Sequence, residues 1–300
     1  PGGTVINTKE ALEVAGTLGY PLLVRPSYVL GGRAMEIVQN DKELIGFVKS
    51  ALEVAEGRRV LIDKYFEGRE VEVDAICDGE TVVIPGIMEH VERAGVHSGD
   101  SMVIYPSLTL NDAEKETIID YTTRIGLELG IRGLMNVQYV LLGGSAYRSP
   151  ESIGWRKAVN NVAGDKSQVY VIEVNPRSSR TVPFISKMTG VPMVRLAVSS
   201  MLGNSLKSEG YDGGLCPEQG AFGVKVPVFS MSKLAGVDTY LGPEMKSTGE
   251  VMGVDLDYRS AVLKSLIAAG LTFPADGSVL LSISDRSKMD AIPMVKNLAR

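Results

Sequence analysis

Three oxygen-bearing side chains stand out in stretches otherwise built for β-structure: Gln138 in "MNVQYVLL", and Glu173 with Asn175 in "VYVIEVN". Side chains alternate faces along a strand, so Glu173 and Asn175 point the same way, roughly 6–7 Å apart. If the two runs pair as neighbouring strands, Gln138 joins them on one face. One carboxylate with two amide oxygens suits a hard cation such as Mg²⁺, which retains waters and takes phosphate oxygens as further ligands. A single glutamate in a strand is commonly a surface or ion-paired residue. It is the triplet that points to a metal.

Arg177 and Arg180 follow at once in "NPRSSRTVPF". Guanidinium forks bind phosphate-like oxygens in bidentate fashion, and beside a metal-bound triphosphate they would meet the transferring group. The plainer reading is a helix start with two solvated arginines. Earlier, "LVRPSYVLGGRAMEIV" places Arg25, Gly31, Gly32 and Arg33 between apolar runs. Two glycines alone read equally well as a hairpin turn, since glycine tolerates positive φ. With the arginines, the stretch reads as a phosphate cover whose backbone N–H groups approach the anion.

The elements that position these residues form an α+β pattern. In residues 1–91, a helix capped by Thr8 runs to Leu18 and is stopped by Gly19 and Pro21. Strands are expected at Leu22 to Arg25 and around Met35 to Val38. Asn40 and Glu43 form a capping-box pair before a helix with Leu44, Val48, Leu52 and Ala55 on one stripe. Three β-rich runs follow to residue 91, punctuated by Glu67-Gly68 and Asp78-Gly79. The segment reads as one small sheet carrying two helices.

A second unit spans 92–250. It opens on the loop-like "RAGVHSGDSMVIYPS"; Asn111 and Glu114 then cap a helix whose Ile118, Tyr121, Ile125 and Leu129 share a face, ending at Gly130. The two strands bearing the oxygen triplet are joined by a connector over about 143–168. It far exceeds the roughly 2–5 residues of a hairpin loop. We read it as a surface insertion with a short helix after Pro150, held by the packing of Trp155. Helical patterns cover 183–202, and a β run covers 223–229. Residues 251–300 show a helix at Tyr258 to Ala269, a strand after Gly277 and a terminal helix. A lone strand feeding a crossover helix calls for parallel neighbours, so this tail is expected to be the truncated start of a third domain. The opening Pro1, with no methionine, agrees with a fragment.

Composition narrows the class. The 300 residues are 44% hydrophobic and 22% charged, the profile of a soluble globular protein of about two domains. With 31 Lys and Arg against 36 Asp and Glu, the net charge is -5. No global basic field holds nucleic acid or an anionic membrane, and any anion site is local. Cys77 and Cys216 show no CxxC spacing, which argues against a zinc cluster or disulfide framework and for the cytoplasm. No apolar run reaches the roughly 20 residues of a membrane span, and no leader opens the chain.

Several stretches together carry a resemblance: "RPSYVLGGRAMEIV", "DAICDGETVVIPGIMEHVERAGVHSGDS", "RGLMNVQYV", "IEVNPRSSRTVPFISKMTGVP" and "LGPEMKSTGEVMG". In this order the chain resembles the carbamoyl-phosphate synthetase large-chain family over residues 4–250. The resemblance implies an ATP-grasp fold, with a lid subdomain at 1–91 and a mixed-sheet core at 92–250. Large chains of that family hold two homologous ATP-grasp halves. The first makes carboxyphosphate and then carbamate, and the second phosphorylates carbamate. The short glycine run of "SYVLGGRAM" and the "RTVPFISK" stretch are similar to the second half. Residues 251–300 resemble the beginning of the methylglyoxal-synthase-like regulatory domain that follows it. The chain departs from the family pattern in the 143–168 insertion and in a connection one residue shorter after Phe66.

Carried over by position, the resemblance implies Arg25 on the nucleotide phosphates under a cover made by Gly31, Gly32 and Arg33. Lys64 and Phe66 would stand at the adenine, Glu70 at the ribose hydroxyls, and Gly95, Val96, His97 and Ser98 along the nucleotide pocket. Gln138, Glu173 and Asn175 would hold Mg²⁺ or Mn²⁺, with Gln138 and Glu173 also against the nucleotide. Arg177 and Arg180 would be the catalytic pair on the transferring phosphoryl group or carbamate. The implied reaction is ATP-dependent formation of carbamoyl phosphate. It belongs to synthesis from bicarbonate and glutamine-derived ammonia for pyrimidine and arginine biosynthesis, with K⁺ as an accessory ion. Implied partners are the remainder of the large chain, a glutaminase small subunit and further copies in a higher oligomer; nucleic acid and membrane are not among them. Two rivals stay open: another ATP-grasp ligase joining a carboxylate to an amine or thiol, and a nucleotide-binding fragment without activity.

Overall fold

The computed structural model describes residues 1–27, 35–54, 59–143, 167–230, 240–272, 276–283, 285 and 288–298. The first 64 residues build a four-stranded antiparallel sheet. Strands β1 (Gly2–Val5), β2 (Leu22–Pro26), β3 (Glu36–Val38) and β4 (Val60–Lys64) lie in the order β1-β4-β2-β3. Leu22 and Val24 on β2, like Val60 and Ile62 on β4, are two apart and so share a face. There they meet Ala11 and Ala15 of α1 (Thr8–Leu18) and Leu44 and Val48 of α2 (Asp41–Val54).

Helix α1 is capped by Asn7 rather than Thr8. The Asn7 backbone is extended, and its side chain accepts the Glu10 N–H at 2.9 Å. Glu10 in turn accepts the Ile6 N–H at 3.0 Å. Asparagine is the stronger cap, and its place one residue earlier lets a glutamate three positions on close the loop. Asn40 serves α2 similarly, accepting from Glu43 N–H at 3.1 Å, while Glu43 accepts the Gln39 N–H at 2.8 Å.

The second sheet has nine strands: β5 (Arg69–Asp78), β6 (Val82–Ile84), β7 (Ile87–Arg93), β8 (Val103–Tyr105), β9 (Arg132–Leu142), β10 (Gln168–Asn175), β11 (Gly214–Leu215), β12 (Phe222–Val228) and β13 (Gly249–Asp255). The main path is β10-β9-β5-β7-β8-β12-β13, with β6 paired to β5 and β11 to β6. Only the β11–β6 ladder is parallel among those described. Helix α3 (Asp112–Glu128) covers one face, packing Ile118 on Val71, Val73 and Ala75 of β5 and Val137 and Tyr139 of β9. On the opposite face, α4 (Val182–Thr189) and α5 (Met193–Met201) pack on Ile76, Met88 and Val103. Alternation along β5 therefore puts Glu70, Glu72 and Asp74 on the face of α4 and α5, just short of the apolar core.

The expected division at residue 91 does not follow the sheets, because 91 falls inside β7. The small sheet ends with β4, and β5, β6 and β7 belong to the large one. Their apolar runs are buried on both faces, and such runs carry no local mark of the sheet they join. The expected loop at 93–107 contains a 3-10 turn at Ser98–Asp100 and β8. The capping box at Asn111 and Glu114 is formed, whereas Leu129 is 62% exposed and Thr122 and Gly126 take the inward positions.

Residues 251–270 are not a separate domain. Strand β13 pairs antiparallel with β12 along its whole length, and α6 (Tyr258–Ala268) buries Ala261 against Ile104, Val224 and Val226 of the same sheet. The strand expected after Gly277 does not form over residues 278–283, where Leu280 is 97% exposed. The last helix, α7, spans Lys288–Leu298. The expected short helix after Pro150 and Trp155, with nearly all of the 143–168 insertion, lies outside the described residues.

Candidate active site

A cavity of about 440 Å³ opens between the two sheets. The small sheet contributes Leu23, Arg25, Asp63 and Lys64; the large sheet contributes β9 and β10; the loop Gly95–Ser98 runs along one side. Phe66, just past β4, stacks on Tyr170 of β10 with ring centroids 4.7 Å apart and planes 28° from parallel. Flat aromatic walls of this kind suit a planar ring as partner.

Most of the residues singled out in the sequence converge here. Arg25 donates from Nε to Asp63 Oδ2 at 3.1 Å, which holds the guanidinium at the cavity wall. Lys64 lines the cavity with its stem, but its Nζ donates to Tyr20 O at 2.8 Å and Gly19 O at 3.1 Å, so the cation is committed to the turn before β2. Gly95 has φ 104°, and a Cβ there would lie 3.0 Å from the Tyr65 ring. Only glycine takes that path without strain. His97 caps the 3-10 turn, its Nδ1 accepting the Gly99 N–H at 3.0 Å. Burial lowers the His97 pKa, in keeping with a neutral ring that accepts at Nδ1.

Gln138 and Glu173 are direct partners across the antiparallel β9–β10 ladder, and Asn175 faces Asn136 two residues on. Gln138 Nε2 donates to Ser98 Oγ at 2.9 Å. Asn175 Nδ2 donates to Glu173 Oε1 at 2.8 Å. Both amide nitrogens are thus engaged within the protein, which leaves the two amide oxygens and the exposed Glu173 carboxylate as acceptors at the cavity. That donor set fits a hard divalent cation of the Mg²⁺ type, which accepts few protein ligands. Among the described residues no group of three His, Cys, Asp or Glu side chains forms an alternative metal site.

The two arginines after β10 part company. Arg177 lines the cavity and donates to Ser178 O at 2.9 Å. Arg180 is not among the lining residues; its guanidinium stands beside Gly99, next to His97 and Ser98 of the cavity loop, donating to Ser247 Oγ at 2.9 Å and lying 3.9 Å from Glu250 Oε2. Val96 and Ser98 line the cavity. Gly31, Gly32 and Arg33, the expected phosphate cover, lie outside the described residues.

Beneath the cavity runs a buried polar row of which the sequence singled out only Glu70. Glu70 lines the cavity and is 3% exposed; His90 lies between it and Glu72, with Nδ1 3.6 Å from Glu70 and Nε2 3.1 Å from Glu72. Thr181 Oγ1 stands 2.9 Å from Glu72 and 2.6 Å from Asp74, and Asn136 Nδ2 donates to both acids at 2.7 and 2.9 Å. Burial pushes Glu70 up to about 7 against the pull of His90. Burial also opposes charge on Glu72, but the His90 hydrogen bond and charge outweigh it and hold that carboxyl low. Asp74 is raised by burial and by the Glu72 charge. His90 is raised because its two carboxylates outweigh its burial. The signal was present in "REVEVDAICD", where three acids at spacing two must share a face.

Comparison with known proteins gives the family and the fold. The family model for the carbamoyl-phosphate synthase L chain, ATP binding domain, matches residues 1–148 and 156–209. The carbamoyl phosphate synthase large chain of Caldanaerobacter subterraneus subsp. tengcongensis is 52% identical over 297 residues, covering 99% of this chain and 26% of that protein. That of Thermomicrobium roseum is 51% identical over 298 residues with the same coverage. The chain therefore spans about a quarter of the length of these relatives. In fold it is similar to the biotin carboxylase domain of Hydrogenobacter thermophilus 2-oxoglutarate carboxylase, solved with MgADP, ADP and bicarbonate, at TM-score 0.58 and 20% identity over 78% of this chain and 48% of that one. The two-sheet architecture is the ATP-grasp fold. No described helix is long and apolar enough to cross a membrane. With the family pattern matched over more than half its length, the chain belongs to the carbamoyl-phosphate synthase large-chain family, as a fragment carrying an ATP-binding domain.

Proposed function

We propose that this segment binds ATP between its two sheets and transfers the γ-phosphoryl group to carbamate, as the second, carbamoyl-phosphate-forming half of a large chain. One observation carries the reading: Gln138, Glu173 and Asn175 present a carboxylate and two amide oxygens to a single cavity walled by Phe66, Tyr170 and the Gly95–Ser98 loop. The assignment to the second half is supported by the short glycine run in "VLGGRAM" and by "RTVPFISK".

The Phe66–Tyr170 wall takes the base and Glu70 accepts from the ribose hydroxyls. Arg25, held by Asp63, meets the phosphates. Gln138, Glu173 and Asn175 would hold Mg²⁺ or Mn²⁺, which would supply charge neutralisation at the triphosphate. Carbamate is already an oxyanion, so the protein's task is alignment and charge compensation rather than proton removal. Arg177 and Arg180 supply that compensation around the transferring group. The small sheet, closing on the large one, keeps water from carbamate. The remainder of the large chain and a glutaminase subunit deliver the substrate in the cytoplasm.

The test is the reverse partial reaction, ATP formation from ADP and carbamoyl phosphate by the full-length large chain. We expect activity that depends on Glu173. Activity untouched by Glu173→Ala would overturn the site. Phosphoryl transfer to other carboxylates but not to carbamate would place the chain with another ATP-grasp ligase.

A further inference from the structure

The polar contacts around Arg180 form a chain that the reaction alone does not require. Asp100 is fully buried, and its two oxygens each accept a main-chain N–H from the segment before β13: Lys246 at 2.7 Å on Oδ2 and Ser247 at 2.8 Å on Oδ1. The same segment is pinned twice more to the 3-10 turn. Ser247 Oγ donates to Gly99 O at 2.9 Å, and the His97 N–H donates to Gly242 O at 2.8 Å. With Ser247 fixed, its Oγ accepts from Arg180 at 2.9 Å, and the Met245 sulfur lies 3.2 Å from the same nitrogen. Gly99 makes room for this arrangement, since a Cβ there would sit 3.1 Å from the Arg180 guanidinium and 3.0 Å from the Met245 sulfur.

We propose that Asp100 is a positioning residue for Arg180: by clamping the main chain at Lys246 and Ser247, it sets the Ser247 hydroxyl that aims the Arg180 guanidinium at the transferring group. The inference rests on the role given to Arg180 under the proposed function. The physical basis is the number of rotatable bonds in an arginine. A guanidinium at the end of that chain is aimed only by its partners, and Arg180's described partners come from 245–250, a segment with no helix or strand of its own before Gly249. A carboxylate accepting two adjacent N–H groups is the device that makes such a segment rigid. An amide at position 100 offers one acceptor where two are needed.

The experiment is kinetic, on the full-length large chain, comparing Asp100→Asn, Ser247→Ala, Arg180→Ala and the double variant Asp100→Asn/Arg180→Ala. ATP formation from ADP and carbamoyl phosphate is measured together with the Kd for ADP. We expect Asp100→Asn to lower kcat about 10- to 100-fold, as misplacement of a reacting group does, with the ADP Kd unchanged within about twofold of the wild type. The double variant should be no slower than Arg180→Ala alone, because both changes break one chain of contacts. Wild-type turnover in Arg180→Ala would remove the reading of Arg180 itself. An impaired Arg180→Ala beside a fully active Asp100→Asn, or additive losses in the double variant, would overturn the positioning role and leave that reading intact. If Asp100→Asn loses ADP binding through misfolding, Ser247→Ala decides, since it keeps the clamp and removes only the hydroxyl: a kcat loss supports the chain of contacts and full activity refutes it.

Discussion

Gln138 Nε2 donates to Ser98 Oγ at 2.9 Å, so the loop that edges the nucleotide cavity also orients an amide of the metal-type triplet. With the amide nitrogen on Ser98, the amide oxygen is the end left for the cavity. Without it Gln138 loses the partner that holds its amide nitrogen. We expect Ser98→Ala to weaken Mg²⁺-dependent ADP binding about tenfold, in the range known for partners that orient metal ligands. Binding of ADP in EDTA should hardly change. Calorimetric titration with and without Mg²⁺ separates the two, and an equal loss in both conditions would mean that Ser98 serves the nucleotide directly.

Glu173 is the one carboxylate in the triplet, and Asn175 donates to its Oε1 at 2.8 Å. Glu173→Gln keeps the size and removes the charge. Turnover should fall by orders of magnitude, because charge compensation at the phosphates is the main contribution such a site makes. Near-normal carbamate-dependent ADP formation by Glu173→Gln would refute the metal assignment. The change should leave the unfolding midpoint in place, since Glu173 is exposed on an edge strand.

Which of these relationships could be read from the sequence depended on their range. The facing of Glu173 and Asn175 follows from alternation within seven residues, and the Asn111–Glu114 box from a spacing of three; both are local geometry. The acids of β5 obey the same alternation, which puts Glu72 and Asp74 on the face of Glu70, but their partners His90, Asn136 and Thr181 come from other elements. Arg180 and Ser247 lie 67 positions apart, and no pattern in either stretch announces the other. The same holds for β13. The run "GEVMGVD" shows no alternation that would mark a buried face, and its membership of the large sheet is fixed only by register with β12, about twenty residues earlier in sequence. The boundary at β4 was missed because strands buried on both faces look alike in either sheet.

Glu70 gives the site a pH dependence with a definite sign. Burial pushes its pKa up to about 7 from an ordinary 4.5, with His90 pulling the other way. A carboxylate accepts from two ribose hydroxyls better than a carboxylic acid does. ADP affinity in the absence of metal should therefore fall as pH drops from 8 to about 6. Glu70→Gln should bind more weakly at pH 8 and show a flatter profile. For folding the sign is opposite. A carboxyl whose folded pKa is raised favours the native state below 4.5 and loses that contribution as pH rises through about 7. Equilibrium unfolding of the ligand-free protein across that window checks the second half of the prediction, and a nucleotide affinity that rises on acidification would contradict the first.

Asp78, at the end of β5, ties the turn into β6 to the segment after α5. Its Oδ1 accepts the N–H groups of Glu80 at 2.9 Å and Thr81 at 2.6 Å, and its Oδ2 accepts the buried Leu206 N–H at 2.6 Å. Burial alone would raise its pKa, but these backbone donors outweigh it and the carboxyl is held below its ordinary 3.8. Asp78→Ala removes all three acceptor contacts and leaves the Leu206 donor without a partner, at a cost of about 2–3 kcal/mol. Because the folded pKa is depressed, the stabilisation is complete above 3.8 and is lost as pH falls through the folded value. Asp78→Asn should accordingly show a shallower acid limb than the wild type below pH 3.8. Urea unfolding at neutral pH and at a series of acid pH values measures both effects. An Asp78→Ala variant as stable as the wild type at pH 7 would show that the carboxylate contributes nothing to holding α5 and its following segment on the sheet.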